Sequence, residues 1–411
     1  MSAKRVSIDE QAARAAQLLA RLGVAVLAIA LPCAAVASRR TILPLAPIGA
    51  VLIIAAALLE PRRAFAPDAR AAAASPTGLA LLSLGAWAAL SLAWTPFLSI
   101  AGERLVKTIA MGIPLAVAAV LLPTRTRTSN LYLLPIGLGA AAVATFALAW
   151  VGPASLSAYD PTGSAIERAT IGCVLLLWPS LAALAVRDRW ASAAVLAIAV
   201  AAAVASVFSP VIVAALALGA LTFAASVAAP LALATSLAVL GAAIVLLAPA
   251  VPFAAGLLPD APNAGWRAAL QTFDVWRQVL RVDGLPRLVT GHGLDAASRT
   301  IIAGYMPANA PRSVLFEVWY DFGLVGAVAT AVLVARAFLA AARVSVNVTP
   351  FLLAGLVSGL LIAVCGQATA QLWWLTLIGI AVMEFVIALR GQYRTTRPLA
   401  SAARAGPEVQ A

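Results

Sequence analysis

Long apolar runs alternate with short polar breaks along this chain. A helix needs about 20 mainly apolar residues to cross about 30 Å of hydrocarbon. Runs of that kind fall at 18–37, 42–59, 78–95, 106–122, 131–151, 168–186, 190–208, 211–228, 230–251, 317–340, 349–367 and 370–389. Within 190–251 only Pro210 and Pro230 punctuate the sequence, so the cuts there rest on those two residues. The pattern predicts an all-α polytopic membrane protein of about twelve transmembrane helices with one large loop. It divides the chain into a bundle of about nine spans over 1–251, a loop over 252–316, further helices over 317–389 and a tail over 390–411.

Composition sharpens this. Of 411 residues, 63% are hydrophobic and 11% charged, against roughly 45–50% and about 25% in a soluble domain. A soluble enzyme and a disordered chain are excluded. The net charge of +12 does not make a nucleic-acid binder, because the cations sit in short clusters between apolar runs and not on one water-facing surface. Cys33, Cys173 and Cys365 each lie in an apolar run, and read as small core residues without a disulfide or metal framework. No nucleotide or metal motif is visible, so no cofactor is expected.

The N-terminus imitates a signal peptide: Lys4, Arg5 and Arg14 precede an apolar stretch ending Ala35-Val36-Ala37-Ser38. More spans follow at once, so an uncleaved first span is expected, with residues 8–21 as an interfacial amphipathic lead-in. Twelve spans with the N-terminus inside put both termini in the cytoplasm. Arg62, Arg63, Arg70, Arg125, Arg127, Arg187, Arg189 and Arg343 then fall inside, with the tail arginines Arg390, Arg394, Arg397 and Arg404. This obeys the positive-inside rule, with Arg39 and Arg40 as minor exceptions. Arg104, Lys107 and Arg168 fall at outer ends of spans, and six arginines (267, 277, 281, 287, 299 and 312) crowd the outer loop. Either the loop is an ordinary solvated one, or these cations build an anion site on the outer face, since arginine suits bidentate phosphate binding.

Within the loop, Asn263 is placed to cap a helix running to about Arg281, with Gly284 as its left-handed stop and Pro286 beyond. Trp266, Leu270, Phe273 and Leu280 form one stripe, and Arg267, Gln271, Asp274, Gln278 and Arg281 the opposite one. Such a helix would lie on the membrane, apolar face down. Next comes Gly291-His292-Gly293-Leu294-Asp295-Ala296-Ala297-Ser298-Arg299, which holds the chain's single histidine. His292 reads either as polar loop filler or as a base. The loop closes with Pro311-Arg312-Ser313-Val314-Leu315-Phe316-Glu317-Val318-Trp319-Tyr320-Asp321-Phe322-Gly323. Pro311 suits a helix start, and Ser313, Glu317 and Asp321 then stack at helical spacing. Two carboxylates entering a membrane are costly unless paired, and an arginine partner is the economical solution.

At these residues the chain resembles the O-antigen ligase and polysaccharide polymerase superfamily of bacterial inner membranes. Residues 291–299 look like its Gly-x-Gly-Leu-Asp-(x)-Ser-Arg element in a large periplasmic loop, and 311–323 like its Pro-His-Asn-x-x-x-x-x-Trp-x-Glu-x-Gly run. Weaker echoes stand upstream: Trp94-Thr95-Pro96 with Glu103-Arg104-Leu105-Val106-Lys107, then Glu167-Arg168-Ala169-Thr170 with Leu177-Trp178-Pro179, then Ser206-Val207-Phe208-Ser209. The resemblance implies inverting transfer of a glycan from an undecaprenyl-diphosphate carrier, in the inner membrane at the periplasmic face. The acceptor it implies is lipid A-core or another lipid-linked glycan. It implies arginines on the diphosphate, for which Arg104, Lys107, Arg168, Arg299, Arg312 and Arg267 are the candidates here. The family's active histidine is replaced by Arg312 and the asparagine after it by Ser313, and Thr272 stands where an arginine would precede Trp276. Glu317, His292 and Asp321 are therefore the candidate bases. A transporter or flippase of lipid-linked glycan and a non-catalytic membrane scaffold are the competing expectations.

Overall fold

The computed structural model describes residues 8–59, 65–123, 125–151, 164–257, 264–366 and 372–393. The chain is an all-α, multi-pass membrane protein. Helix α1 (Ile8–Ala25) runs through a π turn into α2 (Leu31–Ala37), followed by α3 (Arg39–Leu58), α4 (Phe65–Ala74), α5 (Pro76–Leu90) and α6 (Leu98–Leu121). Then come α7 (Leu133–Val151), α8 (Ser164–Ala185), α9 (Trp190–Val207), α10 (Pro210–Ala228), α11 (Pro230–Leu247) and the short α12 (Val251–Ala255). The segment after it holds α13 (Ala264–Thr290) and α14 (Ala296–Ile302), and the chain continues through α15 (Val314–Ala341), α16 (Thr349–Cys365) and α17 (Leu372–Leu389). Among the described residues eleven helical segments are long and apolar enough to span a membrane, and Thr349–Cys365 is a shorter apolar helix.

The punctuation is local chemistry. Pro210 and Pro230 begin α10 and α11, where a missing N–H costs nothing. Ser75 caps α5 by accepting from the Gly78 N–H at 3.0 Å. At the C-terminal ends of α6 and α17, strand β1 (Arg125–Arg127) pairs in parallel with β2 (Gly391–Tyr393). The Arg390 guanidinium donates to the last carbonyls of α6, Ala119 at 3.4 Å and Val120 at 3.2 Å.

Burial sorts the helices. In the membrane-length part of α8, 83% of residues are buried, while the other spans range from 17% to 56%. Helix α8 is therefore the hub, packed by α7, α9, α16 and α17. The outer helices keep apolar side chains such as Leu81, Val106, Val195 and Val239 exposed, as a lipid-facing surface requires. Small residues let helices close on the hub: a Cβ on Gly219 would lie 2.5 Å from the Trp178 ring.

Two expectations change. Residues 8–37 form one continuous helical segment, not a lead-in followed by a separate span. Helix α6 starts eight residues before the expected 106, so Glu103, Arg104 and Lys107 sit on regular helix and their side chains share a face.

Helix α15 carries the decisive irregularity. Gly323 adopts φ 59°, ψ −154° in mid-helix, a conformation closed to residues with a Cβ. The added Cβ would also lie 2.5 Å from the Val289 carbonyl oxygen. Gly323→Ala is expected to cost about 1–3 kcal/mol from backbone strain alone, and more from the clash. Thermal unfolding in detergent should show a lower Tm; an unchanged Tm would contradict the break.

Candidate functional site

The break in α15 leaves three carbonyls without their helical partners, and each is taken by a distant group. The Tyr320 carbonyl accepts the His292 N–H at 2.8 Å, and the Asp321 carbonyl accepts the Gly293 N–H at 2.9 Å. The Phe322 carbonyl accepts Trp87 Nε1–H at 3.0 Å. The 291–295 turn is thus laid across the broken helix. Its other side rests on the end of α5, where Ser91 Oγ accepts the Leu294 N–H at 3.0 Å and Thr95 Oγ1 donates to the Leu294 carbonyl at 3.2 Å. The fit demands glycine at 293: φ is 100°, and a Cβ would lie 2.7 Å from Thr95 Cβ.

Asp295 ends this turn in the left-handed conformation, φ 64°, and its side chain does not cap its own helix α14. Its carboxylate faces outward instead. Arg104 and Arg299 both pair with it, Arg299 through Nε at 2.8 Å, and Ser298 Oγ donates to it. Arg104 also lies 3.6 Å from Glu317. The Asp295 side chain is 2% exposed and those of Arg104 and Glu317 are 22% and 14%. Burial alone would raise the Asp295 carboxyl. The Arg104 charge and hydrogen bonds from Ser298, Arg299 and Arg104 outweigh this and hold it below its ordinary value.

These groups border a cavity of about 700 Å³. Arg104, Arg299, Lys107 and Arg312 supply its cations, and Glu103, Asp295 and Glu317 its carboxylates. Lys107 pairs with Glu103 on the exposed rim, and Arg312 is exposed, donating to the Ala308 carbonyl at 3.4 Å. Leu43, Ile100, Leu372 and Trp373 add apolar side chains to its lining. A cavity of this size with both charged and apolar lining can hold an anionic head together with part of a hydrocarbon chain. Among the described residues no cluster of three or more His, Cys, Asp or Glu is placed to hold a metal ion.

Four expected anion ligands therefore share one cavity: Arg104, Lys107, Arg299 and Arg312. Arg168 does not line it; it lies in the second turn of α8, whose next turn packs Gly172 toward Leu377 of α17. The side chains of Arg267 and Trp266, and all of Asn263, lie outside the described residues.

Of the three candidate bases, only Glu317 reaches the cavity. His292 is turned away from it. Its ring stacks on Tyr320 at 4.0 Å, with Nδ1 3.1 Å from the Tyr320 carbonyl. Asp321 is 3% exposed and finds backbone amides, not the expected arginine. Ser313, not Pro311, starts α15, capping it by accepting the Phe316 N–H at 3.3 Å. The loop helix does break at Gly284, φ 67°. Its buried face centres on Val275 and Trp276, however, with Trp276 edge-on to Phe316 at 5.3 Å. That face meets α15, because the start of α15 offers a large fully buried ring for it to cover.

Asp295, Ser91 and the apolar lining were not singled out in the sequence. Asp295 had a signal in its Gly-x-Gly-Leu-Asp setting; Leu43 and Leu372 had none, since apolar residues in apolar runs look alike.

A carboxylate held low contributes stability above its unfolded pKa, about 3.9, and loses it as pH falls through that value toward the folded one. The Tm of the parent should therefore fall more steeply below about pH 4 than that of Asp295→Asn, and the gap between the two should narrow. Parallel Tm curves from pH 7 to pH 3 would remove Asp295 from this role.

No family model, curated protein or solved structure matches this chain.

Proposed function

We propose that the chain transfers a glycan from an undecaprenyl-diphosphate carrier to a hydroxyl acceptor, as an inverting O-antigen ligase- or polymerase-like glycosyltransferase. The observation that carries this reading is the presence, in one cavity, of four cationic side chains and apolar lining residues. A prenyl diphosphate calls for both. The motif resemblance over 291–299 and 311–323 points the same way.

The chemistry asks little beyond these residues. The acceptor oxygen attacks the anomeric carbon from the face opposite the diphosphate. The bond to the diphosphate oxygen breaks and that oxygen leaves with the electron pair. Arg104, Arg299, Lys107 and Arg312 neutralise the charge that develops there. Glu317, beside Arg104 at 3.6 Å, takes the acceptor proton. Arg312 stays protonated near neutral pH and serves the clamp, not the base.

This reading places the protein in a bacterial inner membrane with the cavity at the periplasmic face, the loop 252–316 outside and both termini in the cytoplasm. Lipid A-core or another lipid-linked glycan is the acceptor.

A second reading, movement of a lipid-linked glycan across the membrane, has one observation of its own. Glu384 lies within α17, 3% exposed, and forms no ion pair among the described residues. Ionisable groups at such positions often mark transport paths. Under the transferase reading Glu384→Gln keeps transfer in isolated membranes; under the transport reading it stops export.

In membranes supplied with carrier-linked glycan, Glu317→Gln should abolish transfer while expression and carrier binding persist. Full activity of that variant would end the role of Glu317. In cells lacking the gene, loss of long-chain lipopolysaccharide with accumulation of carrier-linked polymer means ligation, and single-repeat chains mean polymerisation. An unchanged profile would overturn the transferase. For orientation, a cysteine at Ala303 should react with an impermeant thiol reagent in spheroplasts and one at Thr126 should not; reversed labelling sinks the topology.

A further inference from the structure

We infer that Asp321 is a positioning residue, setting where Arg104 and Arg299 stand through the backbone of the turn at 295–297. The inference deepens the proposed reading of the cavity and uses its anion site. Asp321 does not line the cavity.

The inference starts from an accounting of helix ends. The first N–H groups of any helix need acceptors from outside it. Asp295 is at the N-cap of α14, where an aspartate ordinarily accepts the N–H of the second or third helical residue. Here it makes no such bond. Asp321 acts in its place from across the loop. Its Oδ1 accepts the Ala297 N–H at 2.7 Å and its Oδ2 accepts the Asp295 N–H at 3.0 Å.

That substitution has a consequence. Because Asp321 caps α14, the Asp295 carboxylate is free to turn outward. It then gathers Arg104 from α6 and Arg299 from α14, two residues far apart in sequence. Both guanidinium groups line the cavity. One carboxylate thus satisfies the amides, and a second satisfies the cations. If Asp321 lost its charge, the Asp295 side chain would be the nearest acceptor for the amides of its own helix, and the arginines would lose their shared anchor.

Asparagine at 321 retains the shape but replaces one acceptor oxygen with an NH2 group, which cannot accept from a backbone N–H. The test uses the full-length protein in lipid nanodiscs. Arginines are modified with phenylglyoxal and quantified by peptide mass spectrometry, and pyrophosphate affinity is measured by calorimetry. Asp321→Asn should raise labelling of Arg104 and Arg299 severalfold, leave exposed Arg312 unchanged as an internal control, and weaken pyrophosphate binding by roughly tenfold. Ala297→Pro removes one of the two N–H donors, keeps the carboxylate, and falls in the first turn of α14, where no intrahelical N–H bond is lost. It should shift the same two arginines in the same direction, so the inference survives a failure of Asp321→Asn to fold. A double-mutant cycle with Arg299→Gln should show coupling, because the effect of Asp321 on affinity runs through Arg299.

A lower Tm with parental labelling and parental affinity would reduce Asp321 to a structural residue and overturn the inference. Equal increases at Arg104, Arg299 and Arg312 would do the same. Absent glycan transfer in the parent, with labelling and affinity responding as described, would remove the transferase reading and leave this inference standing. No pyrophosphate binding by the parent would overturn both.

Discussion

A helix passing through lipid cannot leave carbonyl groups bare, and α15 breaks at Gly323. Everything at the candidate site follows from how that break is filled. The Tyr320, Asp321 and Phe322 carbonyls hold the amides of His292 and Gly293 and the Trp87 indole. The turn at 291–295 is therefore not an outer loop resting on a bundle. It completes the backbone hydrogen bonding of a transmembrane helix. Removing the turn would expose the break, and straightening the helix would expel the turn.

The charged cavity depends on the same construction. Arg104 and Arg299 come from α6 and α14, and Asp295 stands between them. A carboxylate so buried is costly unless its partners are well placed. Here it is met by two arginines and a serine hydroxyl. Removing one partner would leave that carboxylate short of a compensating charge, so site and fold are coupled at this point. The apolar lining of Leu43, Leu372 and Trp373 needs no such construction, because apolar side chains are what the spans are made of.

Much of the fold was legible because the bilayer imposes a long-range rule on local sequence. An apolar run of sufficient length must become a helix, whatever its neighbours. The proline punctuation at Pro210 and Pro230 acted the same way. Gly284 was visible as a helix stop and takes positive φ, as do Gly291, Gly293 and Gly323. Their partners were not visible, since a positive φ says that a turn occurs and nothing about what packs on it.

Sequence alone determined that the chain is an all-α multi-pass membrane protein, roughly where most of its apolar helices lie, and which residues carry unusual charge for their position. Those properties depend on windows of about 20 residues, and a sequence displays them directly. Tertiary structure alone decided that Arg104, Lys107, Arg299 and Arg312 share a cavity while Arg168 does not line it. It also decided that Glu317 faces that cavity, that His292 stacks on Tyr320, and that Asp321 serves backbone amides. The reason is geometric. Residues 104, 295 and 317 belong to separate elements, and their approach is set by helix packing and by one broken helix, neither of which leaves a periodic trace in the chain.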